Sequence, residues 1–215
     1  IATCNYEARA YGVRSAMPSR QALQLCPDLL IVKPRMDAYK AVSQEIHGIF
    51  RDYTDLIEPL SLDEAYLDVS ACSHFAGSAT RIADAIRRRV ARELRITVSA
   101  GVAPNKFLAK IASDWQKPNG LFVITPAQVD EFVLALPVAK LHGVGKVTGQ
   151  RLGRMGIQTC AQLREWSKPA LAREFGSFGE RLWSLARGID ERAVQVNSRR
   201  QSVSVEHTFE QDLPD

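Results

Sequence analysis

Apolar residues recur at helical spacing in "DAYKAVSQEIHGIFRDY", residues 37–53, where Ala38, Val42, Ile46, Ile49, Phe50 and Tyr53 share one face and Asp37 is placed as N-cap. A second helix follows in "GSATRIADAIRRRVARELR", with Ile82, Ile86, Val90 and Leu94 four residues apart. Between the two helices, residues 55–59 and 62–70 have strand composition and are separated by little more than a turn. "ITVSAGVA" then predicts a strand, "PNKFLAKIASDW" a helix with Pro104 suited to its first turn, and "LFVIT" another strand. Helices alternating with strands, one strand pair being adjacent, suggest an α/β or α+β sandwich. From about Thr125 the pattern changes to short helical runs punctuated by glycine, with no convincing strand before Ser202. This predicts a small all-helical module. Its boundary is soft, because "TPAQVDEFVLAL" suits packing against either half, and "VNSRRQS" at 196–202 has the composition of a basic linker.

Composition narrows the class. The 215 residues leave room for one large domain or two small ones, and 46% hydrophobic with 24% charged residues is ordinary for a soluble globular protein. No apolar run approaches the roughly 18 residues of a membrane span. Cys4, Cys26, Cys72 and Cys160 lie far apart without a CxxC pair, which fits free thiols and a cytoplasmic location. The histidines are equally scattered, so no histidine-built metal site is expected. A net charge of +4 permits a polyanionic partner. Arg87, Arg88, Arg89, Arg92 and Arg95 lie opposite the Ile82/Ile86/Val90 stripe and are expected to form a solvated face. The chain begins at Ile1 with residues that read as mid-strand, which suggests a fragment.

Four stretches carry candidate chemistry. "EPLSLDEAYLDVS" sets Asp63 beside Glu64 within a strand-like run. Neighbouring strand residues diverge, but a turn or bulge at "EPLS" lets the two carboxylates converge into a hard-oxygen site of the kind Mg²⁺ prefers. Solvated acids at a strand end are the alternative. "NYEARAYGVRSAMPSRQA" carries Tyr6, Arg9 and Arg14, and an arginine fork with a phenol hydroxyl suits phosphate, though on its own the stretch reads better as a turn with surface charges. In "DWQKPNG", Lys117 in the last helical turn either meets helix carbonyls or reaches a triphosphate. "AKLHGVGKVTGQRL" places Gly143, Val144 and Gly145 between a short helix and another starting near Lys146. That is a helix-hairpin-helix, whose backbone N–H groups read the DNA backbone. A P-loop or Rossmann loop does not fit, since neither GxxxxGK[ST] nor GxGxxG is matched.

These motifs, in unbroken order from "NYEARAYGVRSAMP" through "EPLSLDEAYLDV", "SAGVAPNKFLAKIASDWQKPNG" and "HGVGK" to "ARGID" and "SVSVEHTF", resemble the Y-family DNA polymerases, most closely their bacterial DinB type. The resemblance implies an α+β fold: a palm sheet with packed helices and a small fingers element, followed by an all-helical thumb containing the helix-hairpin-helix. It divides the chain into fingers 1–35, palm 36–130, thumb 131–198 and a linker at 199–215 towards a further little finger domain. It implies error-prone translesion synthesis by a two-metal mechanism. Asp63 and Glu64 are then the catalytic ligands of two Mg²⁺ ions, Tyr6, Arg9 and Lys117 hold the incoming triphosphate, and Gly143, Val144, Gly145 and Lys146 hold DNA. The implied partners are primer–template DNA, deoxynucleoside triphosphates and, for a full-length protein, a sliding clamp, the protein acting as a monomer away from membranes. Family members begin with a strand carrying another metal-binding aspartate and an aromatic residue that excludes ribonucleotides, both upstream of Ile1. The chain alone is therefore expected not to extend a primer. His142 stands where the family pattern has proline. The competing expectation is a non-catalytic DNA-binding or scaffold homologue.

Overall fold

In the computed structural model, residues 1–197 and 202–205 are described. They divide into two units, Ile1–Tyr39 and Lys40–Asp215. In the first, Asn5 caps α1 (Tyr6–Ala10) by accepting from the Ala8 N–H at 3.1 Å, and α2 (Ser19–Leu25) starts directly after Pro18. Ala8, Val13 and Ala22 form its buried core, with Ile1, Cys4, Met17, Cys26 and Leu29 packed around them. The strand expected at the first residues is not formed. Ile1 instead donates its backbone N to Met17 O and accepts from the Ala16 N–H, closing a loop.

Helix α3 (Met36–Arg51), whose residues from Lys40 on belong to the second unit, starts one residue earlier than expected. Asp37 therefore sits inside the first turn, where its charge suits the helix dipole, and is not the N-cap. Strands β1 (Ile57–Pro59) and β2 (Ala65–Leu67) pair antiparallel, Ile57 opposite Leu67, Glu58 opposite Tyr66 and Pro59 opposite Ala65. Helix α4 (Ala79–Leu94), capped by Ser78, turns Ile82, Ile86 and Val90 inward against Ile49, as the four-residue spacing requires.

Strands β3 (Ala100–Val102) and β4 (Leu121–Val123) are parallel and joined through α5 (Lys106–Trp115), since a parallel pair needs a crossover. Pro104 lies outside that helix: Asn105 is its N-cap, accepting from the Leu108 N–H at 3.0 Å. A Cβ on Gly101 would lie 2.1 Å from Ala109 O, so only glycine permits the close packing of β3 on α5. The described strands thus form two two-stranded ladders within an α+β arrangement.

Helices α6 (Val129–Leu134), α7 (Lys146–Arg154), α8 (Cys160–Arg164), α9 (Lys168–Phe175) and α10 (Ser177–Leu185) complete the unit. The soft boundary has a physical answer: one core runs from Phe107, Leu108 and Ile111 of α5 through Val133 and Leu136 to Leu171, Leu182 and Ala186. The 129–136 segment serves both halves at once. All four cysteines are free thiols, and burial pushes Cys160 up to about 11 against the opposing charge of Arg164. Of the expected linker at 199–215, only 202–205 are described, without regular structure; the remainder lies outside the described residues.

Candidate active site and nucleic-acid surface

Asp63 and Glu64 are not strand residues. The expected strand over 62–70 shrinks to 65–67, and both acids lie in the connection between β1 and β2. The Glu64 carbonyl accepts from the Leu60 N–H at 2.9 Å and the Ser61 N–H at 3.3 Å, closing that connection as a turn. The acids are tolerated because the turn keeps them out of a core. Asp63 is exposed and accepts from Ser61 Oγ at 2.6 Å, while Glu64 Oε1 pairs with Lys110 Nζ of α5 at 2.6 Å. Asp68, just past β2, accepts from the Ser70 N–H at 2.9 Å, and its hydrogen bonds with Ser70 hold its carboxyl below the ordinary value.

The donor chemistry of this turn fits a hard divalent cation. It offers two carboxylates, and one of them already accepts an ammonium, so the local field accommodates positive charge. Among the described residues no cluster of three or more metal-ligating side chains occurs.

Behind the turn, α5 leads to "KPNG". Lys117 lies beyond the helix, whose C-cap is Gln116, not in its last turn as expected, and pairs with Asp114 at 2.5 Å. Arg88, Arg92 and Arg95 are exposed as the solvated arginine face requires, but Arg87 departs from it. Its side chain is only 14% exposed, and it donates to Val98 O, Asn119 O and Asn119 Oδ1, fastening the turn that follows Lys117 to α4. Arg89 likewise pairs with Asp52 at 2.7 Å. In the first unit, the Arg9 guanidinium lies 5.6 Å from the ring centre of Tyr6, so the two predicted residues are neighbours on α1. Arg14 turns back onto the carbonyls of Arg9 and Val13, each at 2.7 Å.

Sequence reasoning missed the strap at 188–195. Lys106 Nζ, almost fully buried, donates to Glu58 Oε2 of β1 at 2.6 Å and to Ala193 O at 3.0 Å, and lies 5.4 Å from the ring centre of Tyr66. The Gln195 N–H meets the same Glu58 oxygen at 2.8 Å. Asp190 accepts from the Phe107 N–H at 3.0 Å and from both Arg192 Nε and Nη2, and Asn105 Nδ2 donates to Gly188 O at 2.8 Å. Burial opposes ionisation of Glu58, yet the Lys106 ammonium and the Gln195 N–H hold its carboxyl below the ordinary value. Asp190 is held low in the same way, burial being overcome by Arg192 and the Phe107 N–H. One signal was available: a lysine at the first position of a helix faces the positive end of the dipole and needs a compensating partner.

At the far side of α5, the predicted hairpin forms with one difference. The element before Gly143 is a 3-10 turn, Val138–Lys140, not an α-helix. Gly143 has φ +92° and Val144 is buried as the anchor, while Gly145 is the N-cap of α7 and supplies no side-chain acceptor. The first N–H groups of α7, beginning at the exposed Lys146, are therefore available to an outside anion.

Residues 1–114 match the impB/mucB/samB family, and residues 139–190 match the DNA polymerase-iota thumb domain. The chain is 80% identical over all its 215 residues to DNA polymerase IV of Ectopseudomonas mendocina, covering 61% of that protein. The chain thus spans about three fifths of the length of the curated relatives it matches. Among solved structures, a Y-family DNA polymerase chimera superposes with a TM-score of 0.85 at 37% identity, over 92% of this chain and 58% of that one. DinB from Sulfolobus solfataricus does so at 0.81 and 36%, over 89% and 57%.

Proposed function

The chain belongs to the impB/mucB/samB family of Y-family DNA polymerases, and from that premise we propose that it serves DNA-templated nucleotidyl transfer in error-prone translesion synthesis. The observation that carries the reading is the β1–β2 turn, which offers Asp63 and Glu64 beside the α5 cation Lys110. Asp63 and Glu64 are the residues that would hold Mg²⁺, two ions in the full site. When bound, the metal supplies charge stabilisation for an attacking 3′-hydroxyl and a leaving pyrophosphate. The chain's own residues do the rest. Ser61 fixes the Asp63 carboxylate by its hydrogen bond, and Lys110 orients the Glu64 carboxylate by its ion pair. Tyr6 and Arg9 bind triphosphate oxygens, with Lys117 as a further point charge held by Asp114. Gly143 to Lys146 grip the duplex through backbone N–H groups, independent of base sequence. The partners are primer–template DNA, deoxynucleoside triphosphates and, in the full-length protein, a sliding clamp, with the protein acting as a cytoplasmic monomer.

The test is Asp63→Asn and Glu64→Gln in a protein of the relatives' full length. Primer extension in Mg²⁺ is expected to fall by about 10³-fold, while duplex affinity changes less than about twofold, because charge stabilisation alone is lost. Extension at the wild-type rate by either variant would remove the metal assignment. Duplex binding with no extension by the unmutated full-length protein would favour the non-catalytic DNA-binding reading.

A further inference from the structure

We propose that the cleft between α5 and the segment leading into the hairpin seats a phosphodiester of the bound DNA strand, with Lys140 and His142 as its contacts and His142 taking up a proton as the phosphate arrives. The proposal rests on the DNA-binding reading above and extends it to residues outside the hairpin itself. The cleft, about 410 Å³, is lined by Lys110, Asp114 and Trp115 from α5 and by Lys140 and His142. It adjoins in sequence the segment whose N–H groups face outward, so a strand lying on Gly143–Lys146 continues naturally past His142.

The charges around the cleft favour an anion. The lining acid Asp114 is taken by Lys117 at 2.5 Å, and Asp190, whose charge reaches His142, by Arg192 at 2.7 Å. Lys110 is committed to Glu64 and contributes only its field. Lys140 is exposed, and Arg181 of α10 carries a buried Nη2 with no hydrogen-bond partner, so positive charge predominates. In these surroundings burial, together with Arg181, Arg192 and Lys110, holds the His142 imidazole below its ordinary value, Asp190 opposing weakly. In the free protein these neighbours therefore disfavour the imidazolium form of His142. A phosphate in the cleft reverses the balance: its charge favours imidazolium, and the second ring nitrogen becomes a donor. Binding and protonation are then linked, each strengthening the other.

The experiment measures primer–template affinity of the full-length protein by fluorescence anisotropy at fixed salt from pH 5.5 to 8.5, for wild type, His142→Asn and His142→Lys. The wild type is expected to tighten relative to His142→Asn as pH falls, by up to about tenfold per unit for one proton, the two converging at pH 8.5. His142→Lys is expected to bind tightly at every pH without the extra slope. Parallel slopes for wild type and His142→Asn would overturn the proposal. A pH-linked slope for a deoxynucleoside triphosphate and none for the duplex would overturn it in favour of a triphosphate seat. Absence of duplex binding at any pH would overturn the DNA-binding reading itself, and the proposal with it.

Discussion

Gly143 and Gly145 stand two residues apart in the hairpin and obey different constraints. Gly143 has φ +92°, and a Cβ there would lie 2.7 Å from Phe178 Cε2, so its reason is internal. Gly145 has φ −83°, and a Cβ would meet nothing within 4 Å. Among the described residues nothing demands glycine at 145, and the proposed grip on a DNA backbone is what a bare Cα there would serve. Gly143→Ala is accordingly expected to destabilise the fold by about 1–3 kcal/mol, read in a urea melt. Gly145→Ala should melt like wild type yet weaken duplex binding equally across sequences; a loss confined to certain sequences would contradict backbone recognition.

At the scale of elements, the strap at 188–195 joins the exit of α10 to β1, the strand that leads into the Asp63–Glu64 turn. Its centre is a buried ion pair, Lys106 with Glu58, further satisfied by Ala193 O and the Gln195 N–H. Removing one partner of such a pair strands the other charge, which typically costs about 3 kcal/mol or more. Lys106→Met is therefore expected to lower unfolding stability by about that amount, and Lys106→Met with Glu58→Gln to recover part of it. Additive losses in that double-mutant cycle would show that the two side chains act independently.

For the whole molecule, the groups that titrate below neutrality are shifted one way. Burial, assisted by Arg51, holds His47 below its ordinary value, and Glu58, Asp68 and Asp190 are also held low. A group with a lowered folded value binds fewer protons in the folded than in the unfolded state. Its stabilisation is present above the unfolded value and lost as pH falls through the folded one. The thermal midpoint should thus hold near neutrality, decline first below the ordinary histidine range, and fall further below the ordinary carboxylate range. Asp190→Asn is expected to flatten the lower limb of that curve. A midpoint that rises on acidification would refute the account.

Periodicity alone determined α4, whose Ile82, Ile86 and Val90 point inward as spaced, because a one-sided apolar stripe has a single favourable burial. Motif chemistry alone determined that Gly143–Lys146 opens a helix, since left-handed backbone and an uncapped N-terminus are local properties. Other features depended on contacts distant in sequence. Asp63 and Glu64 lie in a turn and not a strand because pairing of Ile57–Pro59 with Ala65–Leu67 ends before them, and where a ladder ends is a matter of its partner. Arg87 looked solvated on its helix, but Asn119, 32 residues away, claims it. Lys106 reads as an ordinary helix-start lysine until Glu58 and Ala193, 48 and 87 residues distant, enclose it. Local sequence fixes backbone preference and which face is apolar; which polar groups are taken out of water, and by whom, is decided only when the chain closes on itself.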